Sequence, residues 1–303
     1  MVNVENLRHQ YGERTTLADL SFSVPRGVIF GVFGPNGGGK STLFSILSTL
    51  LHPSGGSVTV DGIDALRQPA LVRRRIGVVF QNQSLDRKMT VEENLSSQGL
   101  LYGCSGAASR QRVSEVLERF RLSDRRAALV DSLSGGLKRR AEVAKALLHH
   151  PTVILMDEPS TGLDPGARRD LWQYIEELRS AYEATVLLTT HLLDEADRCD
   201  QLLLLHEGKK VAEGTPAALK ARVGGDVVVL ETADPHRIAA ALKSRLRTSV
   251  SVLEGAVRVE ISDGHRFVAE VVEAFPGQIS AVALHKPTLE DVFLDETGVR
   301  IGS

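Results

Sequence analysis

No apolar run in the chain approaches the ~18 residues that a membrane-spanning helix requires, so work at a membrane would need another chain to bring this one there. The opening residues, MVNVENLRHQYGERTT, are polar, which argues against a secretory leader. Charge of one sign is missing as well. Lys plus Arg number 36 against 38 Asp plus Glu, and a chain so balanced carries no footprint for nucleic acid. Cysteine is scarce: Cys104 and Cys199 are far apart, match no metal spacing, suit a reducing cytosol and are expected to be small core residues. Internal repeats and low-complexity segments are also lacking. What remains is an ordinary globular composition, 42% hydrophobic and 24% charged, in 303 residues, enough for two domains.

The most informative stretch is Gly34-Pro35-Asn36-Gly37-Gly38-Gly39-Lys40-Ser41-Thr42. It has the form G-x-x-x-x-G-K-S, preceded by an apolar run from Val28 to Phe33 and followed by helical spacing at Leu43, Phe44, Ile46, Leu47 and Leu50. Glycines let successive N–H groups turn toward one phosphate chain, and the helix that follows adds its positive end. Lys40 is expected on the β- and γ-phosphates and the Ser41 hydroxyl on Mg²⁺.

Apolar runs that could be strands alternate with helical patterns through most of the chain. Segments 2–8 and 15–24 read as strands with Tyr11 in the turn between them, and Ser57–Val60 with Asp61-Gly62 as a hairpin. Short strands are expected at Ile76–Phe80, ending in Gln81, and at Leu202–Leu205; 90–145 reads as helical with a break at Gly103–Ser109. Thr152–Met156 and Thr185–Thr190 are continuously apolar or nearly so, as in strands buried on both faces of a parallel sheet, and a helix is expected over 166–180. The pattern implies an α/β fold with a mostly parallel sheet whose ligand lies off the carboxyl ends of the strands. Gln81, Asp157, Glu158 and His191 all fall at such ends. From about 225 the order becomes β-α-β-β-α-β plus a last helix, a split β-α-β arrangement, so domains are expected at 1–222 and 225–303.

A phosphate loop alone hydrolyses nothing. Asp157 is placed to reach Mg²⁺, Glu158 to polarise the attacking water, and His191 to contact the γ-phosphate and water. Ser134-Gly135-Gly136 at a helix start forms a second anion site. One nucleotide cannot easily use both, and the economical solution is two copies head to tail, each lending its serine loop to the other's nucleotide.

These elements, in this order, resemble the ATP-binding subunit of an ABC transporter. The family's A-loop aromatic matches Tyr11, Walker A residues 34–42, the Q-loop Gln81, the signature loop Leu133–Leu137, Walker B Val153–Pro159, the D-loop Ser160–Asp164 and the H-loop His191. The resemblance implies an ABC-type P-loop ATPase domain with an antiparallel β subdomain and a helical subdomain over about residues 1–220. It further implies Mg-dependent ATP hydrolysis, Tyr11 stacking on adenine, Gln81 touching Mg²⁺ and relaying to the membrane partner, and Asp164 at the dimer seam. The partners it implies are a second copy of the chain and an integral-membrane permease, with the subunit cytoplasmic and peripheral on the inner face of the cell membrane. Leu137 departs from the family's usual Gln, which bears on the ribose-side contact and the rate, and Gly37-Gly38 replaces the common Gly-Ala. The ending KPTLEDVFLDETG (286–298) is similar to ATPases of ABC-2-type exporters, the daunorubicin-resistance-like group. A GTPase-like switch would need an N-K-x-D motif, and an ABC protein acting on ribosomes or DNA a second ATPase half or long coiled coils. Neither is present.

Overall fold

The computed structural model describes residues 1–246 and 248–299, with backbone alone at 181 and 182. It opens on a long hairpin, β1 (Val2–Tyr11) and β2 (Arg14–Val24), in which apolar and polar residues alternate and the apolar face is buried. Tyr11 is the last residue of β1, paired with Arg14, and Gly12-Glu13 makes the turn. Then come β3 (Ile29–Phe33), α1 (Lys40–Leu47), the β4 (Gly55–Val60) and β5 (Ile63–Asp64) hairpin, α2 (Pro69–Arg73) and β6 (Ile76–Val79). β1, β2, β4 and β5 form one antiparallel sheet.

The helical region begins with α3 (Val91–Leu101), started by a capping box between Thr90 and Glu93. It continues with α4 (Gly106–Arg119) and α5 (Gly135–Ala146). Between α4 and α5 the chain is not helical beyond two 3₁₀ turns, Ser123–Arg125 and Val130–Ser132. The helical periodicity loses there to a local competitor: Val91 and Glu92 donate backbone hydrogen bonds to Ala128 and Arg126, Val130 donates to Met89, and Arg126 pairs with Glu92.

Next follow β7 (Val153–Asp157), α6 (Pro165–Tyr182), β8 (Thr185–Thr190), α7 (Leu193–Ala196), β9 (Gln201–His206) and β10 (Lys209–Gly214). The second sheet runs β10-β9-β3-β8-β7-β6, parallel except for the β9–β10 hairpin. β3, β7 and β8 are buried at every position, which is why their sequences show no alternation. Each fully buried Val, Leu or Ile there stabilises by about 1.5–3 kcal/mol. This order puts the ends of β3, β8, β7 and β6 side by side. Cys199 is buried close against Gly31 of β3, whereas Cys104 is only half-buried.

A second compact unit begins at Thr215. Its first helix, α8 (Pro216–Lys220), precedes β11 (Asp226–Thr232), α9 (Pro235–Arg245), β12 (Val250–Leu253), β13 (Ala256–Ile261), α10 (Gly264–Ala274), β14 (Ile279–His285) and α11 (Leu289–Thr297). The sheet is antiparallel in the order β12-β13-β11-β14, the split β-α-β arrangement. Val228, Leu230, Val257 and Val259 pack with Ile238, Leu242, Phe267 and Val271 on one face. α8 packs on α11, and Leu289, Val292, Phe293 and Leu294 are buried within the single chain, so α11 docks on its own unit.

Candidate active site

The turn after β3 holds its shape through glycine. Gly39, the N-cap of α1, has φ +103°, and a Cβ there would lie 2.9 Å from the Thr16 carbonyl oxygen, a place no other L-residue fits without strain. Gly208 donates from its N–H to the Gly38 carbonyl at 3.0 Å, tying the loop to the β9–β10 turn. Lys40 is 4% exposed and curls back, its Nζ donating to Gly34 O at 2.8 Å and Pro35 O at 3.0 Å. Burial pulls its ammonium below the usual lysine range, against the opposing pull of Glu158 and Asp157.

Glu158, just past β7, is the hub. Its Oε1 lies 3.5 Å from Lys40 Nζ and 3.2 Å from His191 Nδ1. Its Oε2 accepts from Gln81 Nε2 at 3.3 Å and from the Thr161 hydroxyl at 3.2 Å. The residue is buried and sits at φ +43°, a left-handed conformation that costs a non-glycine residue on the order of 1 kcal/mol. Hydrogen bonds hold it there: its N–H donates to Thr189, hydroxyl at 3.0 Å and carbonyl at 3.2 Å, and its carbonyl accepts from Arg139 at 3.2 Å. Asp157 Oδ1 accepts from the Thr189 hydroxyl at 2.5 Å, as the β7–β8 register dictates. Burial pushes the Asp157 carboxyl above the usual range; the Thr189 bond pulls it back, and the charge of Glu158 pushes it up again.

Above this cluster opens a cleft of about 790 Å³ lined by Tyr11, Asn36, Gly37, Gly39, Lys40, Ser41, Thr42, Gln81, Glu158 and His191 from the sequence reading, together with Arg14, Thr16 and Thr161. Tyr11 is 52% exposed and meets the His9 ring edge-on. Arg14 and Thr16 escaped the sequence reading, and Thr161 entered it only as part of the D-loop Ser160–Asp164, although the short spacing from Tyr11 to Arg14 in one hairpin and from Glu158 to Thr161 was a usable signal. Gly34, Pro35, Gly38 and Asp157 do not line the cleft.

Ser134, Gly135, Gly136 and Asp164 do not line this cleft. Ser134 caps α5 by accepting from the Leu137 N–H at 3.3 Å, and Asp164 caps α6 by accepting from Gly166 and Ala167, each at 2.9 Å. Those two bonds, led by Ala167, hold the Asp164 carboxyl below the usual range. A Cβ on Gly136 would lie 2.9 Å from the Ala167 Cβ, while nothing stands within 4 Å of one on Gly135. Gly136 thus lets α5 and α6 touch, whereas nothing among the described residues crowds Gly135.

The chemistry available is that of anion binding plus water activation: a glycine-rich loop, a buried ammonium, and a buried carboxylate that accepts from an amide and a hydroxyl and lies 3.2 Å from an imidazole nitrogen. Among the described residues no group of three or more His, Cys, Asp or Glu could hold a metal unaided. Asp157, Ser41 and Gln81 instead offer the few oxygen donors suited to Mg²⁺ that arrives with a phosphate chain.

Residues 17–161 match the model of a family described as ABC transporter. The chain is 38% identical to the daunorubicin resistance ATP-binding protein DrrA3 of Streptomyces coeruleorubidus, over 98% of this chain and 96% of that one. It is 40% identical to the Nod factor export ATP-binding protein I of Paraburkholderia xenovorans (strain LB400), over 98% and 97%. Among solved structures it resembles the ATP-binding cassette MJ0796 as a post-hydrolysis dimer bound to ADP and Pi, with TM-score 0.64 and 29% identity over 71% of this chain and 98% of the other.

Proposed function

The chain belongs to the ABC transporter family, as an ATP-binding, ATP-hydrolysing subunit of an exporter, and on that premise we propose which residues perform each step and with which partners. The observation that carries the proposal is the convergence of Lys40, Gln81, Thr161 and His191 on the Glu158 carboxylate at the floor of the cleft. ATP would lie along the phosphate loop with adenine against Tyr11, and residues 34–42 would hold the phosphates. Lys40 would swing from the Gly34 and Pro35 carbonyls onto the β- and γ-phosphates. Asp157, Ser41 and Gln81 would hold Mg²⁺, which supplies charge neutralisation on the phosphates. Glu158 is the base that orients and deprotonates the attacking water, and His191 fixes the water and the γ-phosphate.

Ser134, Gly135 and Gly136 are built as an anion-accepting helix start yet lie off the cleft of their own chain, so they serve the nucleotide of a second copy bound head to tail, with Asp164 at the seam. Closure on ATP and opening after hydrolysis would move a separate integral-membrane permease. No helix among the described residues is long and apolar enough to cross a membrane. We assign the chain to the cytoplasmic face of the membrane through that permease, with no nucleic-acid partner. We take the ATPase domain as 1–222 and the accessory α+β domain as 225–303, although by compactness the residues from Thr215 on, α8 included, group with the second unit.

The test is Glu158→Gln. We expect it to retain ATP binding, to lose roughly 10²- to 10⁴-fold in hydrolysis, and to accumulate an ATP-bound dimer on size exclusion with Mg-ATP. Turnover near the wild-type rate would remove Glu158 from this role.

A further inference from the structure

In the sequence Arg139 is one of three consecutive basic residues, Lys138-Arg139-Arg140, in the first turns of the helix that follows Ser134. It is 6% exposed and turned inward from the second turn of α5. Its Nε donates to the Pro159 carbonyl at 2.6 Å, one terminal nitrogen to the Glu158 carbonyl at 3.2 Å, and the other to the Phe80 carbonyl at 2.5 Å and Glu142 Oε2 at 2.9 Å. Three of its four acceptors are main-chain oxygens of the two segments that carry Glu158 and Gln81. Glu142 and Lys145, farther along α5, hold the same loop from its other end: Glu142 Oε1 accepts from the Ser84 N–H at 2.6 Å, and Lys145 Nζ donates to the Ser84 carbonyl at 2.7 Å.

A buried arginine has a bland explanation, an internal ion pair with Glu142. That pair uses only one of its bonds. The rigid guanidinium fork spends the rest on fixing where two loops stand relative to each other and to the helix that begins at Ser134. Glu158 needs such fixing, since it sits in a left-handed conformation that is maintained only while its surroundings impose it.

We propose that Arg139 is a positioning residue for hydrolysis: it transmits the placement of α5, and with it the serine loop, to the backbone of Glu158 and to Gln81. The proposal rests on the water-activating role assigned to Glu158. In it, engagement of Ser134 by the partner's nucleotide sets α5, Arg139 carries that setting to the Phe80, Glu158 and Pro159 carbonyls, and the Gln81–Glu158 pair moves with them.

The experiment uses the full-length chain with Arg139→Lys, which keeps the charge facing Glu142 but cannot bridge three carbonyls. We expect kcat for ATP hydrolysis to fall about 10- to 100-fold, the scale on which small misplacements of catalytic groups act. The KM for ATP should change less than threefold. Combined with Glu158→Gln, the variant should still form the Mg-ATP dimer as readily as Glu158→Gln alone. A folded Arg139→Lys chain with kcat within threefold of wild type overturns the proposal, as does a loss of nucleotide binding equal to the loss of kcat. Arg139→Gln is the second variant, expected to show the same split; if circular dichroism finds both unfolded, Arg139 is a stability residue and the proposal fails. Glu158→Gln alone separates the two readings. Normal turnover there removes the role of Glu158, whereas an inactive Glu158→Gln beside a fully active Arg139→Lys removes only Arg139.

Discussion

Gly135 and Gly136 are adjacent glycines with opposite surroundings, and alanine at each separates the fold from the shared site. At Gly136 the new Cβ would stand 2.9 Å from the Ala167 Cβ, closer than two such carbons pack, so α5 and α6 must part. Overpacking of this kind costs about 1–3 kcal/mol. For a unit of about 200 residues each kcal/mol shifts the midpoint by roughly 2–4 °C, so Gly136→Ala should melt about 2–12 °C below wild type. Gly135 is the first residue of α5 with open space around it, and alanine there improves helix propensity by at most about 1 kcal/mol. Its midpoint should be unchanged or slightly higher. If a phosphate of the second copy approaches this bare backbone, Gly135→Ala should nonetheless weaken ATP-driven dimerisation in the Glu158→Gln background. Calorimetry without nucleotide and sedimentation with Mg-ATP read the two effects separately. Adding Ala167→Gly to Gly136→Ala should recover stability beyond the sum of the single effects, as contacting pairs do. A Gly136→Ala midpoint equal to wild type refutes the packing argument, and normal dimerisation by Gly135→Ala refutes the close phosphate approach.

Two further outcomes are expected. In the second unit the Lys286 ammonium and, after it, the Gly264 N–H hold the Asp226 carboxyl below its usual range, so its contribution is present above about pH 4 and is lost as pH falls through the depressed value. Asp226→Asn should flatten the acid side of that unit's unfolding curve, and an unchanged curve would show the pair to be inert. A chain ending at Gly214 keeps every residue of the cleft, so it should bind a fluorescent ATP analogue with near wild-type affinity yet dimerise or join its membrane partner less well; normal assembly by a folded truncated chain would leave the second unit without either role.

The sequence was most legible where chemistry leaves little choice of residue. A loop whose backbone is to face phosphate needs glycine and lysine at fixed spacing, as residues 34–42 have, and strands covered on both faces must be largely apolar, as β3, Val153–Met156 of β7 and Val186–Leu188 of β8 are. Adjacency of the strand ends followed from the same patterns, so Gln81, Glu158 and His191 could be placed together. Arg139 was illegible because its acceptors lie 59, 19 and 20 residues away, and nothing in a basic run announces which member turns inward. Residues 120–134 kept a helical appearance because the backbone pairing that displaces the helix leaves no mark in side-chain periodicity. The attachment of α8 to α11 was hidden likewise, since the two helices meet across some seventy residues of intervening fold.

The central claim is that ATP is hydrolysed at a site made by two copies of the chain, and mixing two inactive variants tests it most directly. Lys40→Ala lacks the phosphate grip and Ser134→Arg lacks the serine loop, so each alone should be nearly inactive. A heterodimer of the two has one site with both Lys40 and Ser134 intact. We expect the mixture to hydrolyse ATP well above the sum of its parts. Absence of any recovery in a mixture shown by differential tagging to contain the heterodimer would contradict a shared site.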